Sequence, residues 1–372
     1  MTVAFCITGH GFGHASRTIE IINAIGARRP EVALHVRTGA PRWIFDLTAT
    51  APVTFHEAAC DTGVVQIDSL RPDVPATVAA AAAFYAAAER HVAREAAWLR
   101  EIGACLVVAD VPPVAIAAAD RAGIPAVGCS NFTWDWIYEG YRDHLDGAGW
   151  LPDLLATLQR PALEGWRLPM HGGFASYRRV VDLPFIARHA RHAVPAVRIA
   201  LGVPQDRPLV LVSFGGFGLE GLPLGRVAAA GDWTLVTTDV PGRERSGTHL
   251  TRRLDTGVVV IDEQALYAAG LRYEDVVAAA DVVVTKPGYG ILAEAIANDT
   301  AVLYTSRGAF AEYDVLVREM PRYLRCRFID PTALRAGDWA GPLGALMAQP
   351  PPPERPRTDG AEVAAGLIER FL

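Results

Sequence analysis

Cysteine is sparse and scattered in this chain: Cys6, Cys60, Cys105, Cys129 and Cys326 are the five in 372 residues, and no two form a C-x-x-C pair. That spacing argues against a disulfide framework and against a thiolate metal site. Cys6 and Cys105 lie in apolar strand-like runs, so buried free thiols in a reducing compartment are expected. Long apolar runs are also missing. The alanine-rich stretch from Ala76 to Ala88 is too short for a membrane span and stops at Glu89-Arg90-His91. Met1–Thr8 is apolar but has no basic region ahead of it and leads into glycines, unlike a secretory leader. Excess positive charge is absent as well. A formal net charge of -6 excludes a general attraction to nucleic acid and leaves room only for a local basic patch. A cytoplasmic globular protein is the expectation.

What is present is a long α/β alternation. The length allows two domains, each with its own core. Thr2–Thr8 reads as a buried strand, Gly9-His10-Gly11-Phe12-Gly13-His14 as a glycine loop, and Ala15–Ala27 as a helix carrying Ile19, Ile22 and Ile25. Strands are expected near 32–37, 52–57, 104–109, 124–129 and 181–185. Residues 61–75 read as loop and 76–101 as one long helix. A second strand and glycine loop begins at Pro208, Leu209–Ser213 running into Phe214-Gly215-Gly216-Phe217-Gly218. Further strands are expected near 233–238, 258–261, 282–284 and 301–305. Pro350–Pro356 reads as an extended linker and 360–372 as an amphipathic helix. Two doubly wound halves follow from this order, with a junction near 185–205.

Four features fall at the carboxyl ends of strands, where ligands bind in such folds. They are Gly9–His14, Asp110, Ser213–Gly218 and the segment Lys286-Pro287-Gly288-Tyr289-Gly290-Ile291-Leu292-Ala293-Glu294. In the last, a strand meets a lysine, a glycine turn and a helix start. Free N–H groups and the helix dipole there favour an anion, Lys286 adds a full charge, and Glu294 can accept from a sugar hydroxyl. The segment fits a phosphate with an attached ribose; an ordinary βα turn with a glycine hinge fits it too.

The layout resembles the two-domain GT-B glycosyltransferases that use nucleotide-sugar donors. Lys286–Ala295 resembles their donor signature H-C-G-W-N-S-x-x-E-A. Gly288 and Glu294 match, Tyr289 stands at the aromatic, Lys286 replaces a phosphate-contacting histidine, and Gly290 and Ile291 replace Asn and Ser. Gly11-Phe12-Gly13-His14 is similar to their G-x-G-H loop, whose histidine is the general base. A narrower resemblance is to the N-terminal transferase-like region of L-arabinokinases and its bacterial relatives. Gly9–Arg17, Asp110-Val111-Pro112-Pro113-Val114 and Asn131-Phe132-Thr133-Trp134-Asp135-Trp136-Ile137-Tyr138 carry it. No kinase-type phosphate loop follows these motifs, so sugar-kinase activity is not expected of this chain.

The resemblance implies an α/β GT-B architecture of two Rossmann-like domains facing across a cleft. Residues 1–190 would bind the acceptor and 191–355 the donor, with the helix 360–372 available to pack back on the first. His14 is the candidate base, oriented by Asp110, with His10 as rival. A capping histidine and an N-cap aspartate are the plainer readings. Gly13, Ser213, Gly215, Gly216, Lys286, Gly288, Tyr289, Gly290, Glu294 and Glu312 would serve the donor. His10, Arg17, Trp134, Trp136 and Tyr138 would serve the acceptor, although the aromatics also suit core anchors. Tyr267 or the backbone of 261–264 is placed to hold the base. No Asp-x-Asp pair is present, which suits a metal-independent transferase whose nucleotide sugar is a substrate rather than a cofactor. UDP- or dTDP-sugar transfer to an acceptor hydroxyl, with inversion, is the leading expectation. A nucleotide-sugar 2-epimerase and a non-catalytic nucleotide-sugar-binding module are the alternatives. The oligomeric state is left open.

Overall fold

The computed structural model describes residues 1–215, 219, 221–238 and 249–372. Strand β1 (Thr2–Ile7) lies at the centre of the first sheet because neither of its faces is polar. Val3, Phe5 and Ile7 enter one apolar cluster, and Ala4 and Cys6 enter the other. A strand buried on both faces needs helices above and below it, and right-handed parallel crossovers supply them. The other strands of this half are β2 (Ala33–Thr38), β3 (Val53–Glu57), β4 (Gln66–Asp68), β5 (Arg71–Pro72), β6 (Leu106–Asp110), β7 (Ala126–Ser130), β8 (Glu164–Arg167) and β9 (Val180–Asp182). Seven of them form a parallel sheet in the order β3-β2-β1-β6-β7-β8-β9, while β4 and β5 pair as a small antiparallel hairpin.

The second half repeats the design. Strands β10 (Leu209–Val212), β11 (Thr234–Thr238), β12 (Thr251–Arg253), β13 (Val259–Ile261), β14 (Val282–Thr285), β15 (Ala301–Tyr304) and β16 (Cys326–Phe328) are ordered β12-β13-β11-β10-β14-β15-β16. Only the β12–β13 pair among them is antiparallel. The proline-rich segment returns the chain to the first half, where the helix Gly360–Ile368 packs on the helix Phe12–Arg28. Gly360 is fixed there by a close approach: a Cβ on it would lie 2.3 Å from the Pro184 carbonyl oxygen.

Several elements differ from expectation. The long helix over 76–101 is two helices, Val74–Tyr85 and Ala88–Glu101. Asp73 caps the first, its side chain accepting from the Ala76 N–H. The stretch 61–75 is not all loop but holds β4 and β5. Helix Leu151–Gln159 and strand β8 are elements that the sequence analysis did not name.

The two halves share core. Tyr289, Leu292, Ala293 and Leu316 from the second half sit in one apolar cluster with Val3, Ile19 and Ile22 from the first. In the other direction, Leu70 at the tip of the β4–β5 hairpin is buried among Val212, Phe214, Val284 and Leu303. The neighbouring Ser69 hydroxyl donates to the Phe214 carbonyl at 3.1 Å. Among the described residues, no helix is long and apolar enough to cross a membrane. All five cysteines are free.

Candidate active site

The carboxyl end of β1 opens into the first glycine loop. Gly11, at φ 71°, caps the helix Phe12–Arg28 and offers no side chain to its first-turn N–H groups. That turn places His14 opposite the end of β6. His14 Nδ1 lies 2.9 Å from Asp110 Oδ1. Asp110 is deeply buried and fully engaged. Arg17 Nε donates to Oδ2 at 2.7 Å, Arg17 Nη2 to Oδ1 at 2.5 Å, and the Thr18 hydroxyl to Oδ2 at 2.9 Å. Burial alone would raise its pKa. The Arg17 guanidinium and His14 outweigh it and hold the carboxyl well below the usual carboxylate range. Asp110 is not an N-cap: that role falls to Pro112 ahead of the helix Pro113–Ala122. Directly after it, Val111 takes φ 81°, a strained conformation for a β-branched residue at the rim of the site.

His14 Nδ1 has two neighbours, Asp110 Oδ1 and Arg17 Nη2 at 2.8 Å. Nη2 also reaches Asp110 Oδ1 and, at 3.0 Å, Ser130 Oγ. With its proton on Nδ1, His14 donates to Asp110 and keeps the Nε2 lone pair to accept. His10 is arranged the other way. Its Nδ1 accepts from the Val64 N–H at 3.1 Å, so its proton sits on Nε2 and no ring lone pair is left for a base. Burial, with Arg307, His14 and Lys286 nearby, pushes its pKa well down.

In the second half, β14 ends at Thr285 and the chain turns through Lys286, Pro287 and Gly288 into the helix Tyr289–Ala297. Gly288 caps that helix without a side-chain hydrogen bond, so this first turn also keeps N–H groups for an anion. The two glycine loops touch. A Cβ on Gly290 would lie 3.2 Å from Gly13 Cα, and one on Gly13 would lie 3.7 Å from Gly290. Lys286 is the only lysine among 35 lysine and arginine residues. Its ammonium has no hydrogen bond or ion pair among the described residues. Burial first, and then Arg307, push its pKa down to about 7. Arg307, not anticipated from sequence, donates to Glu312 Oε2 at 2.9 Å and lies 4.3 Å from the Phe310 ring centroid.

The remaining candidates fall into place around these loops. Ser213 accepts from the Tyr273 hydroxyl at 2.6 Å, which leaves its own O–H to donate. Gly215 needs its φ of 74° and is exposed; Gly216 lies outside the described residues. Glu294 is buried and accepts from Arg188 Nε at 2.7 Å.

Four placements correct the expectations. Tyr289 does not face the cleft: it is buried, stacked on Phe185 at 6.0 Å and lying under the Arg17 guanidinium. Arg17 does not face an acceptor, since its N–H groups bind Asp110, Asn131 and Ser130 in the interior. Glu312, expected to serve the donor, is buried between the halves. It accepts from Asn131 Nδ2 at 2.8 Å and from Arg307, joining the halves. Trp134 and Tyr138, each 1% exposed, are core anchors with no open face. Trp136 is half-buried, its ring filling the space beside Gly172.

Two further features were missed. Asp61 is buried, its oxygens accepting from the Thr8 hydroxyl at 2.7 Å and from Trp134 Nε1 at 2.8 Å. Open aromatic surface at the carboxyl edge of the first sheet comes from Phe12 and Trp43, edge to face at 5.5 Å, with Trp43 37% exposed. The lone lysine was the available signal for Lys286; nothing local pointed to Asp61 or Arg307. Among the described residues, no three His, Cys, Asp or Glu side chains group as a metal site.

No family model matches the chain. Over 382 aligned residues it is 29% identical to the L-arabinokinase of Arabidopsis thaliana, covering 99% of this chain and 34% of that protein. The chain thus spans about a third of that relative's length. Among solved structures it is similar to the glycotransferase of kitacinnamycin (TM-score 0.64, 18% identity, 100% of this chain and 99% of that one). It is also similar to Arabidopsis thaliana UGT89C1 complexed with UDP (TM-score 0.60, 12% identity, 100% and 94%). A third is the glycosyltransferase VinC in complex with dTDP (TM-score 0.55, 15% identity, 100% and 95%). The fold is that of the GT-B glycosyltransferases.

Proposed function

We propose that this chain transfers a sugar from a nucleotide-diphosphate sugar, UDP- or dTDP-linked, to an acceptor hydroxyl, without a metal and with inversion. The observation that carries this reading is the meeting of two complementary loops. An imidazole backed by a carboxylate stands on one side. A lysine with no hydrogen bond or ion pair among the described residues, beside a helix N-terminus without a side-chain cap, stands on the other. The backbones of the two loops are in contact at Gly13 and Gly290.

In the reaction, His14 Nε2 takes the proton of the acceptor hydroxyl as its oxygen attacks the anomeric carbon. The bond from that carbon to the phosphate oxygen breaks, and the diphosphate leaves with the electron pair. Asp110, kept ionised by Arg17, stabilises the imidazolium. Lys286, the Ser213 hydroxyl, the Gly215 backbone and the first-turn N–H groups after Gly288 meet the negative charge that develops on the leaving group. Glu294 accepts from the ribose. Phe12 and Trp43 suit the acceptor's apolar surface, in place of Trp134 and Tyr138. The five free thiols suit a reducing cytoplasm.

The test is incubation of the purified chain with UDP- and dTDP-sugars, with and without a panel of hydroxyl acceptors. Acceptor-dependent release of nucleoside diphosphate supports transfer. Conversion of donor alone to its epimer would replace this reading with an epimerase, and tight nucleotide binding without turnover would replace it with a binding module.

A further inference from the structure

Arg188 lies in the segment that joins the two sheets, and that segment is tied to the donor half by its backbone. Asn298 Nδ2 donates to the Arg188 carbonyl at 3.0 Å, and Asn298 Oδ1 accepts from the Ala190 N–H at 2.9 Å. Asp275 Oδ1 accepts from the Arg191 and His192 N–H groups at 2.7 and 3.0 Å. Anchored this way, the Arg188 side chain turns inward. Nε donates to Glu294 Oε1 at 2.7 Å, and Nη2 donates to the same oxygen. Nη1 lies 3.4 Å from Glu274 Oε2, and the guanidinium sits over the Tyr273 ring, 5.6 Å from its centroid. Tyr273 in turn donates to Ser213. The grip on Glu294 is one-sided: Oε1 holds both arginine contacts, and Oε2 has no hydrogen bond among the described residues.

We propose that Arg188 is the positioning residue of the nucleoside side of the donor site, fixing Glu294 by Oε1 so that Oε2 is presented to a ribose hydroxyl. This rests on the reading of Glu294 as the ribose acceptor given under the proposed function. Arg188 is not a catalytic residue; it acts through Glu294.

The electrostatics require such a partner. Glu294 is buried, and other acids face it from two directions: Glu274 on the helix Tyr273–Ala279 and Glu20 on the helix Phe12–Arg28. Tyr273 and Tyr267 also feel its charge, and Glu263 adds to the acidic surroundings of both. Arg272 and Arg191 act on Glu20 from the far side. Burial pushes the Glu294 carboxyl up and Arg188 offsets this in part, leaving it above the ordinary carboxylate range. Without the guanidinium, burial and the neighbouring acids favour the neutral acid, which is both less able to accept from a hydroxyl and free to rotate.

The test uses the full chain and the nucleoside diphosphate that raises Tm most among UDP, dTDP, ADP, GDP and CDP. Calorimetric Kd values are measured for wild type, R188K, R188M and E294Q between roughly pH 6.5 and roughly pH 9, each expressed as a ratio to wild type at the same pH so that titration of the ligand and of Lys286 cancels. E294Q should weaken binding by about tenfold at every pH, the value of one charge-assisted hydrogen bond. R188M should match that loss near neutrality and recover toward wild type as rising pH ionises Glu294. R188K should lose less than E294Q, with a flat ratio, because it keeps the charge but not the two-point grip. A pH-independent loss in R188M, or affinity equal to wild type at neutral pH, overturns the positioning role. If R188M does not fold, R188K binding as tightly as wild type overturns it. E294Q binding like wild type while R188M is impaired would instead remove the ribose reading.

Discussion

Raising the pH from about 7 to about 9 should weaken nucleotide-sugar binding by about fiftyfold if Lys286 must be charged to hold the diphosphate. The structure supplies the magnitude. Burial first and then Arg307 lower the Lys286 pKa, Asp68 and Glu312 offset them only in part, and it falls from 10.5 to about 7. Only the protonated fraction is ready to bind: about half at pH 7, about one in eleven at pH 8 and about one in a hundred at pH 9, so log Kd should climb by about 1.7 between pH 7 and pH 9. The bound diphosphate restores the charge, so binding at pH 8 should take up about 0.9 of a proton. Isothermal titration in two buffers of different ionisation enthalpy measures both quantities. A nucleotide sugar is the right ligand, because its diphosphate lacks the terminal phosphate ionisation near pH 6 that a free nucleoside diphosphate carries. Lys286→Arg should bind with a flat profile, since a guanidinium stays charged throughout. A wild-type Kd that changes less than about threefold over this range, with no proton uptake, would refute the reasoning.

The same group makes a stability prediction of definite sign. Between pH 7 and 10.5 the unfolded chain holds the Lys286 proton more tightly than the folded one does, so this residue's contribution makes stability rise with pH across that window. Lys286→Met should therefore raise the unfolding free energy at neutral pH by about 2 kcal/mol once solvent screening is allowed for, and Tm with it, while losing donor affinity. His14→Ala should lower kcat by about 10²–10⁴ with little change in donor Kd, measured by single-turnover transfer. Asp110→Asn should lower kcat too, and also cost stability, because Arg17 would be left buried without its counter-charge. Gly290→Ala puts a methyl against the Gly13 backbone and should cost about 1–3 kcal/mol in denaturant unfolding, together with a lower kcat. Leu70→Ala should cost about 2–4 kcal/mol, since the hairpin tip is buried in the donor half rather than exposed; a change below about 0.5 kcal/mol would mean the tip is not docked in solution.

The doubly wound order was legible because its central strands are apolar on both faces. Thr2–Ile7 and Leu209–Val212 could be little else between glycine loops and helical repeats. The carboxyl-end rule then placed His14, Asp110, Ser213 and Lys286 at the carboxyl edges of the two sheets, where they lie. Burial was harder to read. Trp134 and Tyr138 carry the same residue types whether they line a cleft or fill a core, and only the Asp61 contact to the indole N–H, 73 positions away in sequence, reveals the second role. The break at Ala86–Ala87 was hidden because alanine carries no stop signal. The β4–β5 hairpin was hidden because its partner surface is in the other half. Long-range pairs such as Arg188–Glu294 and Asn131–Glu312 leave no local pattern, so the network that fixes the carboxylates emerged only from the three-dimensional arrangement.

The central claim is that Lys286 and the helix start behind it hold a nucleotide diphosphate opposite His14. Thermal unfolding of wild type and Lys286→Ala, scanned side by side against UDP, dTDP, ADP, GDP and CDP, tests it most directly. At a ligand concentration about a hundred times Kd the folded state gains about 2.7 kcal/mol, so at least one nucleotide should raise the wild-type Tm by several degrees while Lys286→Ala responds weakly or not at all. A wild type that no nucleoside diphosphate shifts, or a Lys286→Ala variant shifted as far as wild type, would contradict the account.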